Sequence, residues 1–273
     1  MTTTEPITLD PIKTKHRAMW ALGNYDNVAT EVIQSLGTRI VEAAGIAPGD
    51  RVLDVAAGSG NASLPAARAG GQVWATDITP ELLETGRQRA EAAGLDITWR
   101  EGDAEHLPCE DAEYDAVLSL VGVMFAPFHQ PVADELLRVT KTGGTIALVN
   151  WTPEGFIGHV FRTIGKYVPP PAGVKPPSLW GSEQRLNELF GDGISELTIN
   201  RRMFVFRYRS AEHWLDVFRT YYGPILKAFG ALDAAGQAGL THDLTELLQR
   251  FNQGGSATLA VPSEYLEVVA TRR

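Results

Sequence analysis

The sequence predicts an α/β protein built on a largely parallel sheet with helices on both faces. Three observations carry that expectation. Five strand–helix units follow one another between Arg51 and Asn150, a glycine-rich turn follows the first strand, and an acidic residue closes the second. Successive strands separated by helical crossovers can only pair in parallel, and right-handed crossovers cover both faces of the sheet.

The elements follow in order. The stretch up to about Lys15 is polar and Thr-rich and predicts a mobile arm. Val28, Val32, Leu36, Ile40, Val41 and Ala44 recur at helical spacing, and Gly45 supplies a stop. Arg51–Val55 reads as a buried strand, followed by a glycine turn and an Ala-rich helix. Gln72–Asp77 is the second strand. Thr79 can cap the next helix, and Pro80 has no N–H to lose at its first position. Leu82, Leu83, Gly86, Ala90 and Ala93 form that helix's inner face. Ile97–Arg100 and Tyr114–Leu120 are the third and fourth strands. Pro131 opens a helix over Val132–Val139 that stops before Gly143 and Gly144, and Thr145–Asn150 is the fifth strand.

The rhythm breaks after Trp151. Val168–Trp180 (VPPPAGVKPPSLW) is too Pro-rich for a regular helix or a central strand. Ser182–Phe190 predicts a short helix, and Met203–Tyr208 a strand of alternating aromatic and basic residues. Ser210 can cap a helix bearing Trp214, Phe218, Tyr221 and Tyr222, which Pro224 ends or kinks. Tyr265–Ala270 is the last strand. This organisation divides into an N-terminal arm and cap helix (1–44), a core (45–152), and a segment (153–273) of Pro-rich loop, cap helices and final strands.

Composition narrows the function. The chain has 273 residues, 44% of them hydrophobic, and a formal net charge of −9. That acidic balance opposes general nucleic-acid binding, which needs clustered Lys and Arg to neutralise phosphates. Arg201, Arg202, Arg207 and Arg209 form the densest basic stretch, and their alternation reads as a solvated strand face. Cys109 is the sole cysteine, so neither an internal disulfide nor a cysteine-based metal site can form. No signal peptide and no membrane-length apolar run is visible. A cytoplasmic protein without a metal, a membrane or a nucleic-acid partner is expected; the oligomeric state is left open.

The chemistry is carried by the turn Asp54-Val55-Ala56-Ala57-Gly58-Ser59-Gly60-Asn61. Gly58 and Gly60 allow the backbone to approach a ligand where a Cβ would clash. Asp77 lies 19 residues beyond Gly58, at the carboxyl edge of the second strand. A carboxylate there can accept both hydroxyls of a ribose. Dinucleotide enzymes share this pattern, but three details favour S-adenosylmethionine (SAM) over NAD. Ser63 stands where an NAD fingerprint needs Gly or Ala. Asp54 suits a cationic methionyl amine, and Asp103, just after the third strand, can accept an adenine amino group.

In order and spacing, VLDVAAGSG, ATDITPELL, EGDAEHLP, YDAVLSLVGVMF and LLRVTKTGGTIALVNW resemble the successive motifs of class I SAM-dependent methyltransferases. They are most similar to the group around the ubiquinone and menaquinone C-methyltransferases. The resemblance spans Ala43–Trp151. It implies a Rossmann-like, seven-stranded, mostly parallel sheet with a helical and loop substrate cap. It also implies that Asp54, Gly58 and Gly60 line the methionine moiety and that Asp77 holds the ribose. Ile78 would pack on adenine, Asp103 and the Ala104 backbone would read its polar edge, and Ser119 and Leu120 would lie under the sulfonium. Ser119 and Leu120 could also simply end their strand. The family often has Gly where this chain has Ala56.

The expected activity is methyl transfer to O, N or C of a small, apolar or aromatic molecule. The competing readings are an NAD-dependent oxidoreductase and a SAM-binding protein that transfers no methyl. Transfer from a sulfonium rests mainly on alignment, although oxygen or nitrogen acceptors can need a base. Of His16, His106, His129, His159, His213 and His242, only His129 follows strand four near the expected acceptor side; a solvent-facing loop position is its ordinary reading. Trp20 and Tyr25 precede the core as a lid would. Trp214, with Phe218, Tyr221 and Phe229, forms a stripe that reads as core or as pocket wall. Phe125, Trp151 and Trp180 are further candidates for an apolar pocket.

Overall fold

The computed structural model describes residues 9–22, 26–28 and 32–273. Seven strands form one sheet: β1 (Arg51–Val55), β2 (Gln72–Asp77), β3 (Ile97–Glu101), β4 (Tyr114–Leu120), β5 (Thr140–Trp151), β6 (Ile194–Tyr208) and β7 (Leu259–Arg272). Their order is β3-β2-β1-β4-β5-β7-β6. The first five are parallel, and β7 runs antiparallel to both its neighbours. Burial explains the composition of the central strands. Val52, Leu53, Val55, Val117 and Leu118 are sealed on both faces, so these strands read as apolar runs rather than as alternations.

The described helices are α1 (Pro11–Trp20), α2 (Gln34–Ala44), α3 (Ser63–Arg68), α4 (Pro80–Ala92), α5 (His129–Val139) and α6 (Phe156–Tyr167). They continue with α7 (Glu183–Phe190), α8 (Ala211–Tyr221), α9 (Gly223–Gly230) and α10 (Ala234–Phe251). None is long and apolar enough to cross a membrane. Several boundaries correct the sequence reading. Residues 9–15 do not form a mobile arm: Asp10 caps α1 by accepting from the Ile12 and Lys13 amides at 2.7 and 3.0 Å, with Pro11 in the first turn. The helix expected from Val28 begins at Gln34, and it does end at Gly45 in the left-handed region (φ 67°). Thr79 occupies its cap position without a side-chain cap bond. Helix α5 starts two residues before Pro131, at His129. Strands β6 and β7 are more than twice the expected length and pair from Ile194 to Tyr208. On β6, Arg201 pairs with Glu183 and Glu264 on one face, and Arg202 with Glu267 on the other.

Strand order reverses direction between β1 and β4, so their helical connections leave on opposite sides and open a crevice at the strands' carboxyl ends. Each of these two strands runs into a left-handed residue, Ala56 (φ 54°) after β1 and Val121 (φ 51°) after β4. A β-branched residue at positive φ is strained, and such strain gathers where a surrounding structure holds the backbone for a ligand.

Candidate active site

The crevice opens into a cleft at the carboxyl ends of the strands, where ligands of open α/β sheets bind. One wall is the turn after β1, with Ala56, Ala57, Gly58 and Ser59. The floor runs from Asp77 and Ile78 after β2 to Asp103 and Ala104 after β3. The opposite end is Leu120–Val123 with Phe125, and Lys13, His16 and Trp20 of α1 form the cover.

Asp77 anchors the glycine turn. Its Oδ2 accepts from the Gly58 amide at 2.9 Å, and its Oδ1 accepts from Thr79 at 2.8 Å. Burial pushes this carboxyl up from its ordinary value, and the backbone bonds oppose that rise. Asp54 is fully buried, accepts from Ser63 Oγ at 2.6 Å, and has no partner for Oδ1 among the described residues. Burial pushes its pKa up to about 7, and the neighbouring Asp77 charge adds to the rise. Two buried carboxylates side by side make this part of the protein electrostatically receptive to a cation.

Of the cofactor residues expected from sequence, Ala56, Gly58, Asp77, Ile78, Asp103, Ala104 and Leu120 share the cleft wall. Asp54, Gly60 and Ser119 do not reach it. A Cβ on Gly60 (φ 88°) would lie 2.6 Å from both Leu64 and the Trp99 ring, so this glycine serves packing behind the turn. Ser119 Oγ donates to the Val55 carbonyl at 2.7 Å and accepts from the Val123 amide at 3.0 Å. It therefore ties the end of β1 to the turn after β4. Close packing there is tight: a Cβ on Gly122 would sit 2.5 Å from the Ala56 carbonyl oxygen.

The aromatic candidates divide. Trp20 and Phe125 line the cleft with ring centroids 4.8 Å apart, edge to face. Trp151 is buried among Phe204, Phe206 and Tyr265, away from the cleft. Trp214 is fully buried and stacks on Phe218 at 4.1 Å. Trp180 is sealed against His129 and Phe190. All three belong to the core: β6 and β7 cover Trp151, Phe156 and Phe218 cover Trp214, and α5 and α7 cover Trp180. Tyr25 lies outside the described residues.

His129 is not the solvated loop residue expected; only 2% of it is exposed. It opens α5, neither ring nitrogen has a partner among the described residues, and it is not on the cleft wall. Burial lowers its pKa to about 4, and Arg185 and Lys175 add to the effect.

Sequence reasoning missed Lys13 and named His16 only among six histidines, favouring His129. Lys13 Nζ bonds Asp103 Oδ2 at 2.6 Å and Glu105 Oε2 at 2.5 Å. Burial depresses its ammonium, but the two carboxylates outweigh that and leave its pKa raised. One turn on, Arg17 pairs with Glu101 at 2.7 Å. The overlooked signal was Asp10-Pro11, an N-cap followed by a first-turn proline. Read as a helix start, it places Lys13, His16, Arg17 and Trp20 along one side of α1.

With this geometry in place, the chain carries a methyltransferase domain: residues 52–144 match the model of one, on the seven-stranded sheet described above. Over most of its length the chain is similar to an uncharacterized protein of Mycobacterium tuberculosis, 48% identical over 242 residues, 87% of this chain and 88% of the relative. The demethylmenaquinone methyltransferase of Renibacterium salmoninarum is 39% identical over 125 residues, 46% of this chain and 50% of that one. Among solved structures, the YcgJ protein of Bacillus subtilis matches with a TM-score of 0.63 at 18% identity, covering 88% of this chain and 99% of its own. Geranyl diphosphate methyltransferase in complex with SAM matches at 0.52 and 17% identity, covering 88% and 85%. At such identities the structural likeness concerns the fold.

Proposed function

We propose that the cleft holds SAM along the carboxyl ends of β1, β2 and β3, and a small apolar or aromatic acceptor between Trp20 and Phe125. The observation that carries this reading is one continuous cleft running from Asp77 and Asp103 to those two rings. Its polar end suits a nucleoside and its apolar end an acceptor body. SAM, when bound, supplies an electrophilic methyl on a sulfonium.

The chain's own residues do the rest. Asp77, already oriented by the Gly58 and Thr79 amides, has lone pairs left for ribose hydroxyls. Ile78 covers one face of the adenine, and the Ala104 backbone meets its polar edge beside Asp103. Gly58 and Ala56 let the backbone lie against the methionine portion. Asp54, behind the turn, favours the cationic ligand through its charge rather than by contact. Leu120 and Val121 bound the site of transfer, and α1 excludes water from it. The acidic chain and its single cysteine fit a cytoplasmic enzyme of small molecules rather than of nucleic acid.

The test is isothermal titration with SAM and NAD side by side, followed by release of S-adenosylhomocysteine in EDTA with a panel of phenols, quinols and amines. SAM binding without NAD binding, and turnover in EDTA, are expected. Asp77→Ala should weaken SAM by about 1.5–3 kcal/mol, the worth of charge-assisted bonds. Unchanged affinity with the fold intact would remove Asp77 from the ribose site.

A further inference from the structure

We propose that His16, carried by the covering helix α1, is the general base of the transfer, and that the acceptor bears a weakly acidic hydroxyl on an apolar, aromatic body. This rests on the reading of the cleft as a methyl-transfer site and names the acceptor class within it.

The placement comes from α1. Lys13 is fixed at the nucleoside end by Asp103 and Glu105, while Trp20 meets Phe125 at the apolar end. At 1.5 Å per residue, Lys13 to Trp20 spans roughly 10 Å along the cleft. His16 falls between them, on the cleft wall. It is the only histidine among the residues lining the cleft. The Phe125 backbone faces its ring and favours a proton on it. A ring nitrogen that donates to that backbone would leave the second nitrogen as an acceptor, the arrangement a base requires.

The charges around the ring keep it neutral. Burial lowers its pKa, Lys227 on α9 adds to this, and the Phe125 backbone and Asp10 oppose it. The other charged groups nearby are paired with one another: Lys13 with Asp103 and Glu105, and Arg17 with Glu101. A neutral imidazole at neutral pH can take a proton.

The step balances. An electron pair on the acceptor oxygen forms the bond to the methyl carbon, and the carbon–sulfur pair stays on sulfur. The hydroxyl proton passes to the free nitrogen of His16. The positive charge that began on the sulfonium ends on the imidazolium. The walls suit the acceptor's body, since Trp20, Phe125, Val123 and Ile33 surround it with apolar surface.

Two measurements test this. The first needs no acceptor: side-chain 15N spectra of the full chain with S-adenosylhomocysteine, with His16→Gln identifying the His16 signals. One protonated and one unprotonated nitrogen at pH 7 are expected. An imidazolium at that pH, or a second nitrogen bonded to the protein, overturns the proposal. The second compares wild type with His16→Gln on 2-naphthol, un-ionised at pH 8, and 4-nitrophenol, ionised at that pH. Turnover of 2-naphthol should fall by about 10²–10⁴, while 4-nitrophenol loses less than about tenfold and SAM affinity is unchanged. The wild type's acidic limb in the pH–rate profile should disappear in the variant. Equal losses on both acceptors, or a retained limb, refute the base. Should neither phenol be turned over, the spectra decide the matter for His16. Failure of wild-type SAM binding would instead count against the function itself.

Discussion

Helices α1 and α8 each carry a tryptophan that sequence offered to the same pocket, yet they end in opposite environments. Trp20 on α1 lines the cleft beside Phe125. Trp214 on α8 is sealed, stacked on Phe218 and edge-on to Phe156. The difference lies in what each helix packs against. Helix α1 crosses the open ends of strands and is held by ion pairs to the loop after β3. Helix α8 packs against β6 and α10, and its neighbour α9 packs against α1. A Cβ on Gly223 would meet the Met19 carbonyl at 2.4 Å, and Tyr222 reaches Trp20 at 6.0 Å. These helices are therefore layered: α1 faces the cleft, and α8 and α9 pack outside it. Aromatic content is legible in sequence, and only contacts reveal which layer a ring belongs to.

The largest expected effect tests the outer layer. Trp214→Ala should destabilise the protein by about 3–5 kcal/mol, the cost of emptying a closed aromatic site. Urea unfolding measures it. A loss below 1 kcal/mol would mean the α8 core is loosely packed and that the contrast with α1 is overstated.

The histidines sharpen the same contrast. His129 is buried and neutral with a pKa of about 4, whereas its unfolded value is near 6.5. The unfolded chain then binds more protons between those values, so this residue's stability is full above pH 6.5 and drains away as pH falls toward 4. The effect is up to about 3 kcal/mol. Asp54 works the other way: with its pKa at about 7, its cost of ionisation fades as pH falls through 7. His129→Leu should therefore remove most of the acid loss and leave a protein that gains stability on acidification to pH 5. If the variant and wild type lose stability in parallel, His129 is already protonated in the fold.

A smaller effect belongs to the anchor of α1. Lys13→Met should weaken SAM binding by about 1–2 kcal/mol, because the covering helix loses its hold on Asp103 and Glu105. Hydrogen exchange should quicken in α1 but not in β1 or β4. Exchange that quickens throughout the sheet would make Lys13 part of the general fold rather than an anchor for the cover.

How much of this was legible in the sequence follows from the kind of information each residue carries. The parallel core was readable because buried strands and their crossover helices repeat a strict local pattern. The positions of Gly58, Asp77 and Asp103 on the cleft wall were readable because they follow from strand ends. Asp54, Gly60 and Ser119 were placed on the correct elements but not behind the wall, since which side of a turn faces a cleft depends on the opposing strand. His129 misled because a Phe128-His129-Gln130 stretch looks polar, while the burial comes from Trp180, some fifty residues away in the chain. Lys13 escaped because polarity suggested an arm, and His16 was passed over because it lies far from strand four in the chain. Their order comes from partners at Asp103, Glu105 and Phe125 that no local window contains.

The smallest stability effect is expected at Trp20 itself, and it is the most informative. Helix α1 is held by the Asp10 cap, the Lys13 cluster and the Arg17–Glu101 pair, none of which needs the indole. Trp20 is only half-buried, meets Phe125 and Tyr222 edge-on, and lines the cleft. An acceptor wedged against its cleft side would add burial, at about 25 cal/mol per Å². Trp20→Ala should then cost about 1 kcal/mol or less in unfolding free energy and leave SAM affinity unchanged. The KM for an apolar acceptor should rise at least tenfold, which is about 1.4 kcal/mol. Trp20→Phe should recover most of that loss, because a ring still closes the wall. If Trp20→Ala instead unfolds the protein as readily as Trp214→Ala, the indole is core, and the two helices differ less than their contacts suggest. If KM is unmoved while the fold survives, the acceptor lies elsewhere along the cleft, and the Trp20–Phe125 wall is only its edge.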